Sequence, residues 1–204
     1  MTDPGMRLLR RLYALARTGQ SFTRSEFDTE RYREIETIAA QLLADGPRPV
    51  ERLRKIWPEE PGYLTPKLEV RGAVFRDETV LMVRESLDGL WTLPGGWVDV
   101  NDGPSQAIEK EIEQESGFRT RAVKLAALYD RSRHGHGQAP FHSWKAFFLC
   151  EILGGEARGS YETESVGFFD PLRLPAMSLG RSTPRQVERM RLHWLNRQLP
   201  TEFD

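Results

Sequence analysis

The stretch that most restricts how this chain can fold runs from Gly95 to Phe118. It reads Gly95-Gly96-Trp97-Val98-Asp99-Val100-Asn101-Asp102 and continues to Lys110-Glu111-Ile112-Glu113-Gln114-Glu115-Ser116-Gly117-Phe118. Pro104 suits a first helical turn and Gly117 a left-handed stop, so the pattern predicts a helix over Pro104–Ser116. Ala107, Ile108 and Ile112 mark its buried stripe. Glu111, Gln114 and Glu115 stand at i, i+3 and i+4, on one face. At about 100° per residue, Glu115 falls almost inside the apolar stripe, whereas Glu109 and Glu113 point elsewhere. A carboxylate aimed at an interior costs on the order of several kcal/mol when neither paired nor metal-bound. Two acids one turn apart beside a glycine bend make a reasonable oxygen cage for Mg²⁺. Helix geometry alone leaves a second reading open, an acidic helix with its last turn in solvent.

The 204 residues accommodate a core domain of about 130 residues and a helical segment of about 60. A net charge of −1 gives no electrostatic reason to expect a nucleic-acid or membrane partner. The start, Met-Thr-Asp-Pro-Gly, shows no secretory h-region, and no run of about 18 apolar residues suggests a membrane span. A cytoplasmic location is the default expectation. Cys150, the lone cysteine, sits in the apolar run Ala146–Cys150 and reads as core.

Leu8, Leu9, Leu12 and Tyr13 predict a first helix stopped at Gly19. Tyr32, Ile35, Ile38, Ala39, Leu42 and Leu43 form the stripe of a second, from Asp28 to Gly46, with Asp28 or Thr29 as cap. Val50, Leu53, Ile56 and Trp57 predict a third from Pro49. Three short helices have little core of their own and must pack on another domain or subunit. Pro58–Pro66 breaks the pattern. Leu68–Arg76 and Thr79–Arg84 then flank Asp77-Glu78 as a hairpin. Further strands are predicted at Thr120–Tyr129, Phe141–Ile152 and Val166–Phe169, and a last helix from Thr183-Pro184 carries Val187, Met190 and Trp194.

The central stretch resembles the Nudix box: a glycine, five residues, a glutamate, seven residues, then Arg-Glu-apolar-x-Glu-Glu-x-Gly-apolar. Gly96 opens it, Asp102 stands where the first glutamate belongs, and Lys110 replaces the arginine. Glu111, Ile112, Glu115, Gly117 and Phe118 match, and Leu93-Pro94-Gly95 is the usual approach. The resemblance implies an α/β (α+β) fold, an α/β/α sandwich with a mixed sheet. Here a small all-helical domain over 1–62 precedes a catalytic domain over 63–204. It assigns Mg²⁺ or Mn²⁺ coordination to the Gly95 carbonyl, Glu111, Glu115 and the side chain at 114. Lys110 would hold the carboxylates by ion pairing. Gln114 departs from the family's glutamate, and one neutral oxygen should weaken divalent binding and slow turnover. That position reads equally as a natural weakening or as a substitution that traps substrate.

A narrower resemblance rests on the helical start, Gly62-Tyr63-Leu64-Thr65-Pro66-Lys67, Lys110-Glu111, and Ser178-Leu179-Gly180-Arg181. These look like the CDP-choline pyrophosphatase branch. That branch implies hydrolysis of CDP-choline or a related nucleoside diphosphate-X, and a homodimer in which the N-terminal helices take part. Alternatives are a pyrophosphatase of ADP-ribose or another sugar nucleotide, and a catalytically weakened nucleotide-binding module.

Other candidates lie outside the box. Glu164, with Glu162, is expected in a loop before Val166–Phe169, where this family often places a further ligand or general base. Arg71 and Arg84 could each hold a phosphate, or form surface ion pairs. His134 and His136, in the glycine-rich loop Arg131–Pro140 that also leads to His142, could approach substrate oxygens or be solvated. Trp91 and Trp97 flank the glycine loop, and Trp97 could stack on a base or hold a quaternary ammonium.

Overall fold

The computed structural model describes residues 4–43, 63–99 and 101–204. They fall into two compact units. One lies within Met1–Pro66 and takes in Gln138–His142; the other comprises Lys67–Gly137 and Ser143–Asp204.

In the first unit α1 (Pro4–Phe22) and α2 (Glu26–Leu43) form a hairpin. Tyr13, Ala39, Ala40 and Leu43 are its buried centre, with Met6, Leu9, Leu64 and Phe141 against them. The Tyr13 hydroxyl donates to Glu36 at 3.2 Å, so the buried phenol is satisfied. Gly19 does not stop α1. A Cβ there would lie 2.5 Å from the Tyr32 ring, so this glycine serves the approach of the two helices. Nor do Asp28 or Thr29 cap α2: Ser25 does, its hydroxyl accepting the Asp28 N–H at 3.3 Å. The predicted stripe divides, with Ala39 and Leu43 buried but Ile38 and Leu42 exposed. The predicted third helix and the Gly46-Pro47 stop lie outside the described residues.

The second unit has a mixed sheet. Strand β1 (Lys67–Arg76) runs parallel to β5 (Ser143–Gly155), from Lys67↔Ser143 to Val74↔Cys150. β5 pairs antiparallel with β4 (Phe118–Asp130), and β4 pairs parallel with β7 (Glu202–Phe203). On the other side β1 turns through Asp77 and Glu78, both at positive φ, into β2 (Thr79–Glu85). β2 pairs antiparallel with β3 (Trp91–Thr92) and with β6 (Thr163–Phe169).

Helix α3 (Pro104–Ser116) covers one sheet face and α4 (Pro184–Leu195) packs into the other core. Ala107, Ile108 and Ile112 meet Val70, Val74, Ala146, Phe148 and Cys150, while Val187 and Met190 join Ala73, Met82, Phe147 and Leu149. Burial of each α3 isoleucine contributes about 1.5–3 kcal/mol. Gly72 sets how near α3 can come, because a Cβ there would lie 2.6 Å from Ile112 Cδ1. The α/β/α architecture matches the sequence reading, with adjustments at strand ends. Phe141 belongs to the helical unit's core, and β5 begins at Ser143. Among the described residues, no helix is long and apolar enough to cross a membrane.

Candidate functional site

Leu93–Val98 lies along β1 as an extra edge segment. Gly72 N–H donates to Pro94 O at 2.9 Å, Val70 N–H to Gly96 O at 2.9 Å, and Val98 N–H to Leu68 O at 3.0 Å. Gly95 sits at φ +142, and a Cβ there would fall 2.0 Å from the Val70 carbonyl oxygen. No other residue fits that space.

The apolar stripe of α3 is pinned to β1, and Gly117, at φ 79, ends the helix with its N–H on Glu113 O. Rotation about the axis is therefore fixed, and Glu111 and Glu115 are delivered to the two glycines. Glu115 Oε2 accepts the Gly95 N–H at 2.8 Å. The Glu111 carboxylate lies so close to Gly96 that a Cβ would meet Oε1 at 2.6 Å. Thr163 donates its hydroxyl to the Glu115 carbonyl at 2.7 Å, tying the helix end to β6.

Charge balance at this point is unusual. Burial pushes the Glu115 carboxyl up to about 8, against the pull of Arg71 and the Gly95 N–H, and Glu111 and Glu85 add repulsion. Glu111 is also raised, chiefly by burial, with Glu162 and Asp99 contributing. Glu85 is raised by burial too, although Arg181 and Arg71 oppose the shift. The nearest buried cation, Arg71, is committed elsewhere. Its Nε and Nη2 lie 2.8 and 2.6 Å from Glu69 Oε1, and its Nη1 donates to Leu93 O at 2.9 Å. Carboxylates that repel one another beside main-chain oxygens suit a hard divalent cation, which takes oxygen ligands and restores neutrality. Among the described residues no trio of His, Cys, Asp or Glu groups already converges on one point. A cation here would therefore draw on the two glutamates and on neutral oxygens.

The structure thus brings Gly95, Glu111 and Glu115 together. Gln114 is exposed on the same helix. The carboxylate that Lys110 holds is Asp102, at 2.7 Å on the outer side. Glu164 is not in a loop: β6 already includes it, and it faces Arg84 across 3.7 Å. Glu162 is the late-segment acid whose field reaches Glu111 and Glu85. Arg84 closes its own hairpin, donating to Gly89 O at 2.8 Å. Arg71 is buried with its donors occupied, so a direct phosphate contact is replaced by a role beneath the site.

The histidines also differ from expectation. His136 is buried: Nδ1 donates to Leu179 O and Nε2 meets the Gln186 amide, both at 2.8 Å. Burial first, then Lys145, pushes its pKa down to about 4, so the ring is neutral and structural. His134 stacks on Tyr129 with centroids 3.9 Å apart and bonds Asp204 at 2.8 Å. It lines a cavity of about 1010 Å³ with Tyr129, Arg189 and Phe203, which the acid cluster does not border. Trp91 is packed edge-on to Phe169, whereas Trp97 is 45% exposed with Lys67 Nζ 5.7 Å from its ring centre.

Sequence reasoning passed over Glu69, Glu85, Lys145 and the role of Arg181. A signal existed. Glu69 and Arg71 alternate with apolar residues in β1, and Lys145 directly precedes the apolar run Ala146–Cys150 of β5, which places charge on buried faces.

The description "NUDIX domain" matches residues 66–190, which is more than half of the chain. The chain belongs to the Nudix family. It is a pyrophosphatase-type Nudix enzyme, and its residues 4–57 match a second description, "UDP-X-like, N-terminal oligomerisation domain". A Bacillus subtilis (strain 168) protein provisionally named ADP-ribose pyrophosphatase YjhB is 39% identical over 87% of this chain and 86% of its own length. The structure of an ADP-ribose pyrophosphatase from Streptococcus suis 89-1591 is 36% identical with TM-score 0.64, over 69% of this Nudix chain and all of its own. A UDP-X diphosphatase structure is 30% identical with TM-score 0.65, and each chain is covered completely.

Proposed function

We propose that this Nudix enzyme hydrolyses the pyrophosphate bond of nucleoside diphosphate-X compounds with Mg²⁺ or Mn²⁺, ADP-ribose first among them. The observation that carries the reading is the seating of Glu111 and Glu115 against Gly96 and Gly95, with both carboxylates short of positive charge. Glu111, Glu115, the Gly95 carbonyl and the Gln114 amide oxygen are the groups that would hold the cation. When bound, the ion polarises the diphosphate and lowers the pKa of the attacking water. The protein's own part is to orient the acids: the Gly95 N–H fixes Glu115, and α3 fixes Glu111 one turn earlier. Glu162 is better placed than Glu164 to take the water's proton, because its charge is felt at Glu111.

ADP-ribose is favoured by the names of two relatives that are 39% and 36% identical. CDP-choline is the second reading. Besides the segments at 62–67 and 178–181, the exposed Trp97 ring already carries a cation, Lys67, on its face, as it could carry choline. Incubating the chain with ADP-ribose, CDP-choline and a UDP-sugar, with either metal, separates these by the nucleoside monophosphate released. Faster CMP than AMP production would move the assignment to CDP-choline. No monophosphate from any of them would remove the hydrolase reading.

Gln114→Glu adds a charged oxygen pair on the cation-binding face. It should strengthen Mn²⁺ binding and raise turnover at limiting metal roughly three- to tenfold. If metal affinity and rate both stay put, Gln114 does not limit the enzyme and the weakened-module reading loses its support.

We also assign the N-terminal helices to a homodimer contact. Leu8 is 70% and Leu42 61% exposed, and Leu15 and Ile38 add to the apolar surface. Sedimentation equilibrium should give twice the chain mass, and Leu8→Glu with Leu42→Glu should shift it toward the monomer. A wild-type monomer at micromolar concentration would refute the contact.

A further inference from the structure

Beneath the glycine segment, three charged side chains are buried on adjacent strands. Glu69 and Arg71 come from β1, and Lys145 is the β5 residue in register with Glu69. A single oxygen, Glu69 Oε1, receives Arg71 Nε at 2.8 Å, Arg71 Nη2 at 2.6 Å and Lys145 Nζ at 2.6 Å. The Lys145 side chain has no exposed surface, and burial, then the neighbouring Arg71, push its pKa down to about 7. A buried charge trio is a poor device for stability, since apolar side chains of similar volume would serve as well or better. Its remaining hydrogen bonds point to another purpose.

Arg71 Nη1 holds the carbonyl of Leu93, two residues before Gly95. Lys145 Nζ holds the carbonyl of Arg181 at 2.6 Å, with that of Gly180 at 3.5 Å. Arg181 then extends its side chain to the acid cluster. Its Nε lies 2.8 Å from Glu85 Oε1, and its Nη1 lies 3.4 Å from Asp88 Oδ2. One residue on, the Ser182 hydroxyl accepts the Leu93 N–H at 3.1 Å and pairs with Thr92 Oγ1 at 2.8 Å. Ser178 N–H and Ala176 O bond Trp91 on β3. The segment from Ala176 to Ser182 is therefore clamped between the sheet and the strand that delivers the two glycines.

We propose that Lys145 is a positioning residue for this Nudix site: it sets the Ser178–Ser182 segment so that Arg181 holds the Glu85 carboxylate in the acid cluster. The proposal rests on the metal-dependent hydrolase reading. It gives the 178–181 segment, singled out in the sequence but unused by the box itself, a definite task.

The test is a double-mutant cycle on the full chain with Lys145→Met, Arg181→Gln and the pair. Lys145→Met keeps the length of the side chain and leaves Glu69 and Arg71 as a neutral couple. Each single change should lower kcat roughly tenfold or more with KM changed less than threefold, and the double variant should be no slower than the slower single. Losses that multiply in the double variant would overturn the proposal, as would a fall in Tm with kcat unchanged. Should Lys145→Met fail to fold, Arg181→Gln decides alone, and an unchanged kcat sinks the idea. Should the wild type prove inactive on every nucleotide, the hydrolase reading fails by itself. The positioning role is then judged by Mn²⁺ titration followed by electron paramagnetic resonance, where Lys145→Met should weaken binding at least fivefold and equal affinity refutes it.

Discussion

Glu111→Gln should leave a folded Nudix chain that releases nucleoside monophosphate about a thousandfold more slowly. The change preserves shape and removes one negative charge at the place where Gly96 lets the carboxylate come closest to the main chain. A thousandfold loss corresponds to about 4 kcal/mol of transition-state stabilisation, at about 1.36 kcal/mol per factor of ten. It is comparable to removing a preorganised electrostatic group from an active site. The measurement is kcat at saturating Mg²⁺ and substrate, with circular dichroism as the control for folding. A loss of less than tenfold would mean that Glu111 is not among the groups holding the catalytic ion.

The second large effect concerns Glu115 and can be read without substrate. In the folded chain its carboxyl titrates at about 8, above the ordinary glutamate value of 4.5. The stability it contributes is therefore fully present below about 4.5 and is lost as pH rises through 8. Each tenfold difference in proton affinity between folded and unfolded chain is worth about 1.36 kcal/mol, so the full swing is on the order of 5 kcal/mol. In EDTA, the wild type should lose Tm relative to Glu115→Gln as pH is raised from about 5 to about 8, the window that the raised carboxyl defines. Comparison with the variant matters because other groups act in the opposite direction. Both His136, lowered to about 4, and Lys145, lowered to about 7, favour the folded state more as pH rises. Added Mn²⁺ should reverse the trend, stabilising the wild type most at high pH, where Glu115 is ionised and free to bind. A Tm difference that stays flat across this range, or Mn²⁺ that stabilises Glu115→Gln equally, would show that this carboxylate neither carries the strain nor meets the metal.

Much of the catalytic unit was legible because its signals are local. Pro104 and Gly117 bound α3, Thr183-Pro184 start α4, and Asp77-Glu78 turn the first hairpin, each through backbone chemistry that neighbours in sequence decide. The readings that needed change depended on distant partners. Gly19 looks like a helix stop until Tyr32 is laid against it. Arg71 looks like a phosphate clamp until Glu69 and the Leu93 carbonyl take up its donors. His136 looks solvated until Leu179 and Gln186 enclose it. Glu69 and Lys145 lie 76 positions apart, and no periodicity within either strand announces that they meet. The acids of the box could be named from spacing, but Glu85 and Arg181 required the sheet to bring β2 and the 178–182 segment together.

Gly72 has a consequence that reaches beyond packing. Because α3 rests on β1 where one hydrogen replaces a side chain, the height of the helix above the sheet is the height at which Glu115 finds the Gly95 N–H. An added methyl would press on the ends of Ile112 and Ile108, the side chains through which α3 seats on β1 and brings both acids to the bend. Catalytic tuning in such an enzyme is thus open to substitutions in its oily interior, at a residue whose own neighbours are Ile108, Ile112 and the Pro94 carbonyl.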